Sequence, residues 1–170
     1  SMGAALALNF ALRNPERVLG LVQSRPAWLE APEPYNVTMF SLITRLVREH
    51  GRVRGRELFL ESSEYKETLA RWPDVAASLA GQFDNPAVED TAFKFERIIR
   101  DAPCRDRREW ANIKVPTLVL GNRFDPIHPY EYAVKMQRLI PDAEFREIAS
   151  KSVSLDQHNT DVRGAVTDFL

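Results

Sequence analysis

The sequence predicts an α/β fold in which three parallel strands are flanked by helices and interrupted by a long helical insert. Continuous apolar runs indicate strands that are covered on both faces. Segments with helical spacing separate these runs, in the order helix, strand, insert, strand, helix, strand, helix. Strands that alternate with helices form layered parallel sheets with right-handed crossovers. With 170 residues, the chain can bury the core of one domain or of a large part of one.

The first helix and the first strand are predicted close to the N-terminus. Residues 3–12 are apolar on nearly every side, which predicts a helix buried against a sheet. The Asn14–Pro15 pair ends this helix, because a residue before proline disfavours helical geometry. The apolar run over residues 18–22 predicts the first strand.

The apolar N-terminal segment does not indicate a membrane span or a signal peptide. A span needs about 20 apolar residues, and this run stops at Arg13. A secretory signal has a positively charged region before its apolar run and a small-residue cleavage site after it, and neither is present here. We therefore expect a cytoplasmic protein with no membrane partner.

The other sheet elements are predicted after the insert. Residues 115–120 form a second continuous apolar strand, with a proline near its start, where proline is tolerated. Residues 129–140 have one apolar stripe at helical spacing, and residues 144–148 alternate like a short strand. Residues 161–170 predict the last helix. These elements complete the predicted sheet and its flanking helices.

The insert over residues 26–112 predicts a helical cap or lid, which leaves residues 1–25 and 113–170 as the core. It contains no strand pattern, and a helical block between two strands of a sheet is expected to cover one of the sheet edges. Apolar residues at helical spacing predict helices over residues 37–50, 64–71, 74–83 and 88–100.

Composition excludes several classes of function. The chain has 23 Lys and Arg against 24 Asp and Glu, a formal net charge of -1, which removes the electrostatic basis for binding nucleic acid. One cysteine excludes a disulfide framework, and the three histidines have no spacing typical of metal ligands. We therefore expect no metal, and the chain also has neither a phosphate-binding loop nor a dinucleotide fingerprint.

Three polar residues stand beside the predicted strands. Ser1-Met2-Gly3 opens directly onto the first helix, and we expect Gly3 to let that turn pack tightly against the sheet. Asp125 follows the second strand, and His158 stands between the third strand and the predicted last helix. The start resembles the second half of Gly-x-Ser-x-Gly, the nucleophile elbow of α/β-hydrolases, and the order Ser, Asp, His is the order of that family.

This resemblance implies a function and a role for each residue. Ser1 would be the nucleophile, the Met2 amide would be one oxyanion donor, and Asp125 would orient His158 as the general base. The implied protein is a serine hydrolase for a small ester-like or other acyl substrate, and it requires no metal or organic cofactor. Its three strands would be strands 6–8 of the family sheet, and the helical insert would be its cap.

The chain differs from the family pattern in having no strands before the elbow. The loop that supplies the second oxyanion donor belongs to that earlier part, and loss of one donor costs roughly 100- to 1000-fold in rate. We therefore expect the chain alone to be weakly active or inactive. The first strand would also have an unpaired edge, which predicts self-association.

Several alternatives remain open from the sequence. Ser1 could be a helix cap or a tag remnant, Asp125 a turn residue and His158 a surface histidine. His128, three residues after Asp125, is expected to be a loop histidine, with a second-choice base or a pocket residue as the alternatives, and Cys104 is expected to be inert. At the level of function, one rival is a non-catalytic binding protein that retains the fold. The other is an amidohydrolase whose base is the α-amino group of Ser1, which the βα order of the elements disfavours.

Overall fold

A computed structural model describes all 170 residues of the chain. Its helices are α1 (Met2–Arg13), α2 (Thr38–Glu61), α3 (Ser63–Arg71), α4 (Pro73–Ala80), α5 (Val88–Thr91), α6 (Phe93–Ile99), α7 (Tyr130–Leu139) and α8 (Leu155–Phe169). Its strands are β1 (Leu21–Ser24), β2 (Thr117–Gly121) and β3 (Glu144–Glu147). None of the helices combines the length and the apolar character that a bilayer crossing requires.

The strands form one parallel sheet in the order β1-β2-β3, which confirms the predicted three-stranded parallel sheet. Leu21 of β1 lies opposite Thr117, and Leu118 of β2 lies opposite Glu144 of β3. Every residue of the central strand β2 is buried. This burial explains why its sequence is continuously apolar, whereas β3 has exposed ends and polar residues.

The prediction that the first strand begins at Val18 is wrong. A short 3₁₀ helix occupies Pro15–Arg17, and pairing begins only where the Leu21 amide donates to the Pro116 carbonyl at 2.9 Å. Leu19 is 94% exposed, so the apolar residues before Leu21 form a connection and not a buried strand. An apolar run alone does not show where its partner strand starts.

Helix α1 is buried against the sheet, as predicted, but along only one of its faces. Ala4, Leu8 and Ala11 are buried, because residues three or four apart share one face of a helix. A stripe of large apolar side chains on another face is exposed: Met2, Leu6 and Phe10. Gly3 lies in the exposed first turn, where a Cβ atom would have no neighbour within 4 Å. The expected close packing of Gly3 against the sheet is therefore absent.

The chain divides into two compact units. The first unit contains Ser1–Pro32 and Ala102–Leu170, and the second contains Glu33–Asp101. The first unit is larger than the predicted core, because it includes residues on both flanks of the predicted insert. Among these is Trp110, which is fully buried in the core of the first unit.

The core of the first unit has a layer on each face of the sheet. Val119 faces the layer that contains Leu8 of α1 and Met136 of α7. Leu118 and Leu120 face the opposite layer, which contains Ala165 of α8. This alternation follows from the two-residue repeat of a strand. The sheet therefore has α1 and α7 on one face and α8 on the other.

Gly121, the last residue of β2, allows α7 to approach the sheet closely. A Cβ atom at this position would lie 2.7 Å from Cβ of Ala133 and 3.2 Å from the ring of Phe145. Real side chains do not pack at the shorter of these distances, so only glycine fits here. Gly121 also begins the connection that leads to Asp125.

The second unit is helical, as its sequence pattern predicts, and the first segment of α2 ends at His50 as expected, because Gly51 after it is not helical. Helix α2 continues to Glu61 across a kink at Gly51, whose φ of +72° is the left-handed geometry that favours glycine. Its core is made of apolar side chains from several helices and turns, among them Ile43, Phe59, Phe83 and Val88.

The outer edge of β1 has no neighbouring strand, and self-association through this edge is still a prediction. The Leu21 and Arg25 amides donate to the β2 side, so the Val22 amide between them points to the open edge. If copies pair there, Val22→Pro is expected to reduce association by removing that donor, and Leu19→Ala, which leaves the strand amides intact, is the control. Sedimentation velocity measures both. A monomeric mass at every concentration of the wild-type chain would contradict the prediction.

Candidate active site

The candidate site lies where the strands of the first unit end. Arg25 follows β1, Asp125 follows β2, and Lys151 follows β3. The carboxyl ends of parallel strands meet at one edge of the sheet, where α/β proteins bind ligands. The pKa of the Ser1 α-amino group is lowered to about 6, by burial first and then by the charge of Arg25, whereas Asp125 raises it. The Ser1 amino group is therefore near enough to the carboxyl ends of the strands to interact with the charges there.

Ser1 occupies the N-cap position of α1, but its side chain makes no capping hydrogen bond. The hydroxyl is therefore not used by the helix, which removes the helix-cap alternative for this side chain. Met2 is the first residue of α1, and the first amides of a helix have no acceptor within it. The positive end of the helix dipole also favours negative charge at this position. An exposed hydroxyl thus stands beside free amide donors.

The Asp125 carboxylate is enclosed by hydrogen-bond donors. Its Oδ1 accepts from the amides of Ile127 and His128, both at 3.1 Å. Its Oδ2 lies 2.9 Å from Nδ1 of His128 and 3.3 Å from Nη1 of Arg25. Only 8% of the Asp125 side chain and 12% of the His128 side chain are exposed. The structure therefore contains a buried carboxylate–imidazole pair with an arginine on the same oxygen.

The pKa values of this pair are shifted in the same direction for different reasons. Burial would raise the pKa of Asp125, but the hydrogen bond from His128 and the charges of His128 and Arg25 outweigh it and lower that pKa. Burial lowers the pKa of His128 below its ordinary 6.5, and the bond and charge of Asp125 offset only part of this effect. At neutral pH the carboxyl is ionised and the imidazole is neutral.

Residues 1–156 match the family model described as alpha/beta hydrolase fold. The chain belongs to the alpha/beta hydrolase fold family. The matched residues include Ser1, Asp125 and His128, and they cover well over half of the chain. No protein of curated function matches the chain significantly.

Solved structures of this hydrolase fold resemble the chain at low identity. An acetylester hydrolase from Corynebacterium glutamicum is 19% identical with a TM-score of 0.65, over 99% of this chain and 59% of its own. The acetyl esterase MekB is 16% identical with a TM-score of 0.68, over 98% and 57%. The enol-lactonase from Burkholderia xenovorans LB400 is 22% identical with a TM-score of 0.61, over 99% and 62%. The chain thus spans about three-fifths of the length of these hydrolases.

His158 does not lie in the loop before the last helix, where the sequence predicts it. Helix α8 begins at Leu155, because the Ser154 side chain caps it by accepting from the Gln157 amide. His158 is therefore inside the helix, is only 4% exposed, and has its Nδ1 2.8 Å from the Ala149 carbonyl oxygen. The imidazole bonded to Asp125 in this hydrolase fold is His128 and not His158.

Arg25 is a site residue that the sequence analysis misses. Its φ is +47°, a left-handed geometry that costs a non-glycine residue on the order of 1–3 kcal/mol. Its amide continues the ladder to the Leu120 carbonyl at 2.9 Å, while its guanidinium reaches Asp125. Phe124, before Asp125, also has a positive φ, +59°. A cation directly after an apolar strand, at the same edge as Asp125, is the signal that could have identified Arg25.

Proposed function

We propose that this protein is a serine hydrolase that acts on a small ester-like or other acyl substrate. Ser1 is the nucleophile, a histidine is the general base, and the Asp125 carboxylate orients that histidine. One observation carries the proposal: the uncapped hydroxyl residue at the start of α1 lies within charge range of the buried pair of Asp125 and an imidazole.

The comparisons support this proposal through the fold. The compared structures are described as an acetylester hydrolase, an acetyl esterase and an enol-lactonase. All three names denote cleavage of a bond between an acyl group and oxygen. That chemistry needs no metal when a hydroxyl, an imidazole and a carboxylate are aligned.

The proposed reaction begins with transfer of the Ser1 hydroxyl proton to the histidine as Oγ attacks the acyl carbonyl. The carbonyl electron pair moves to its oxygen, and the Met2 amide donates to that oxyanion. The intermediate then expels the leaving group, which takes the proton from the histidine, and water releases the acyl group by the same steps. The family resemblance assigns the base to His158, which follows the third strand, whereas the contacts of Asp125 favour His128.

The Glu33–Asp101 unit remains the proposed cap on the basis of its place in the chain between β1 and β2. The rival is a non-catalytic binding protein with the same fold. It predicts that neither the wild-type protein nor a Ser1 variant hydrolyses a substrate. One experiment therefore separates the two functions.

Ser1→Ala is expected to lower hydrolysis of p-nitrophenyl acetate and of a small lactone at least about 1000-fold, because removal of the nucleophile leaves only binding and oxyanion stabilisation. Ser63→Ala, at an exposed position of α3, is the matched control and should retain the rate. The assay is run on the 170-residue chain and on any longer protein of which it forms part, because the sequence predicts impaired activity for the chain alone. Hydrolysis that survives Ser1→Ala, or no hydrolysis in any form, would contradict the proposal.

A further inference from the structure

We infer that His128, and not His158, is the general base that deprotonates Ser1 and the residue through which Asp125 acts. This inference rests on the proposed serine hydrolase and names the base of that same site. It keeps the order Ser, Asp, His but departs from the family resemblance, which assigns the base to His158 after the third strand. Four features of the structure carry it: the contacts of Asp125, the tautomer of His128, the contacts of His158 and the charges around Ser1.

The Asp125 carboxylate has no acceptor position left for a second imidazole. A carboxylate offers about four lone-pair positions, two on each oxygen. The amides of Ile127 and His128 occupy both positions of Oδ1. The His128 ring and the Arg25 guanidinium occupy both positions of Oδ2. To orient His158, Asp125 would first have to lose one of these partners.

The bond between Asp125 and His128 fixes the tautomer that a general base requires. Because the pKa of Asp125 is lowered, its carboxylate is ionised and can only accept hydrogen bonds. Nδ1 of His128, 2.9 Å away, must therefore carry the proton. The lone pair of the ring is then on Nε2, and the carboxylate stabilises the imidazolium that forms when Nε2 takes a proton.

His158 has a structural partner instead. Its Nδ1 lies 2.8 Å from the Ala149 carbonyl oxygen, and since a carbonyl only accepts, Nδ1 is the donor. Asp161, one turn later on α8, accepts from the Ala149 amide at 2.8 Å. The two side chains hold both backbone polar groups of Ala149 and so fix the connection between β3 and α8. A neutral carbonyl stabilises an imidazolium less than a carboxylate does.

The charges near each histidine agree with this assignment. The groups that act on His128 are Asp125, Arg25 and the α-amino group of Ser1. The charge of the Ser1 amino group therefore acts on the His128 ring. His158 is affected by its hydrogen bond to Ala149 and by the charges of Arg25, Lys151 and Asp125. Burial, the largest effect on both, lowers the pKa of each ring.

The proton and electron balance of the step is complete without a co-reactant. As the Oγ–C bond forms, the Ser1 hydroxyl proton moves to Nε2 of His128, and the carbonyl π pair moves to oxygen. When the carbonyl re-forms, the bond to the leaving group breaks and that group takes the proton from Nε2. Asp125 stays ionised throughout, because it stabilises the imidazolium without accepting the proton itself.

The test measures the rate of Ser1 phosphonylation by a fluorophosphonate between pH 4.5 and 9 in the form of the protein that hydrolyses esters. A neutral base gives a rate that falls as the pH drops through the pKa of the base, which for His128 lies below 6.5. His128→Gln is expected to lower the plateau rate by about 10²- to 10⁴-fold and to remove this pH step. In His128→Ala, added imidazole should restore part of the rate.

Two further variants test whether His128 or His158 is the base. His158→Gln should lower the melting temperature but keep the pH step in its folded fraction, and His50→Gln, at an exposed position of α2, is the matched control. A pH step that is lost in His158→Gln and kept in His128→Gln would overturn the inference in favour of the predicted triad. A pH step that survives in both would exclude a histidine base. If Ser1→Ala is still phosphonylated, the proposed function itself fails, whichever histidine matters.

Discussion

Replacing Asp125 by asparagine is expected to lower the rate of Ser1 acylation by about 10⁴-fold. An amide at this position can donate to Nδ1 of His128, which moves the ring proton to Nε2 and removes the base. It also carries no charge, so it cannot stabilise the imidazolium. The rate of phosphonylation and the rate of ester hydrolysis should fall together, because both begin with the same deprotonation of Ser1.

The matched control is Asp90→Asn, at an exposed position of α5. It makes the same chemical change away from the strand ends and should leave both rates unchanged. A rate for Asp125→Asn within tenfold of the wild-type rate would show that the carboxylate does not take part in the reaction.

The same substitution also tests the state of the carboxyl through acid unfolding. Folding lowers the pKa of Asp125 below its ordinary 3.8, so its ionised form stabilises the fold above that pH. This stabilisation is lost as the pH falls through the lower pKa of the folded state. Asp125→Asn has no such carboxyl, so its stability should depend less on pH below 3.8 than that of the wild type.

Replacing Trp110 by alanine is expected to destabilise the first unit by about 3–5 kcal/mol. Trp110 is fully buried in the cluster that includes Leu8 and Ala11 of α1, and its Nε1 donates to Sγ of Cys104 at 3.1 Å. The change leaves a cavity and removes the donor to a buried thiol. For the whole chain of 170 residues we expect a melting temperature about 10 °C lower.

Two variants serve as comparisons for Trp110→Ala, one at the same position and one at Trp72. Trp110→Phe keeps most of the ring volume and loses only the Nε1 donor, so it should cost less than half as much as alanine. Trp72→Ala, at a half-buried position where the Arg71 guanidinium lies 4.3 Å from the ring centroid, should cost about 1 kcal/mol. Equal melting temperatures for Trp110→Ala and Trp72→Ala would contradict the described core.

The sequence predicts the architecture well because burial leaves a direct pattern. The continuous apolar run of β2 and the apolar stripe of α7 both indicate which side chains are covered. Boundaries are less predictable, because they depend on partners distant in sequence. The Leu21 amide finds its acceptor at Pro116, and nothing in residues 18–20 shows that pairing starts after them.

The sequence indicates where the candidate residues lie but not which of them are in contact. A serine before a helix and an aspartate after a strand point to the strand ends, because parallel strands share that edge. The partner of Asp125 depends on geometry that residue order does not encode. The Ser154 cap moves the start of α8 ahead of His158, and the turn after Asp125 brings His128 onto its own carboxylate. The position of Arg25 directly after β1 is a sequence signal, but its left-handed backbone geometry is not predictable from the sequence.

The central claim is that Ser1 is activated by the buried pair of Asp125 and His128. Mass spectrometry of the protein after brief exposure to a fluorophosphonate at pH 8 tests it most directly. We expect a single phosphonyl group on the peptide that contains Ser1. In the Asp125→Asn variant we expect no phosphonyl group on that peptide after the same exposure. A phosphonyl group on another residue, or equal modification of the variant and the wild type, would contradict the account.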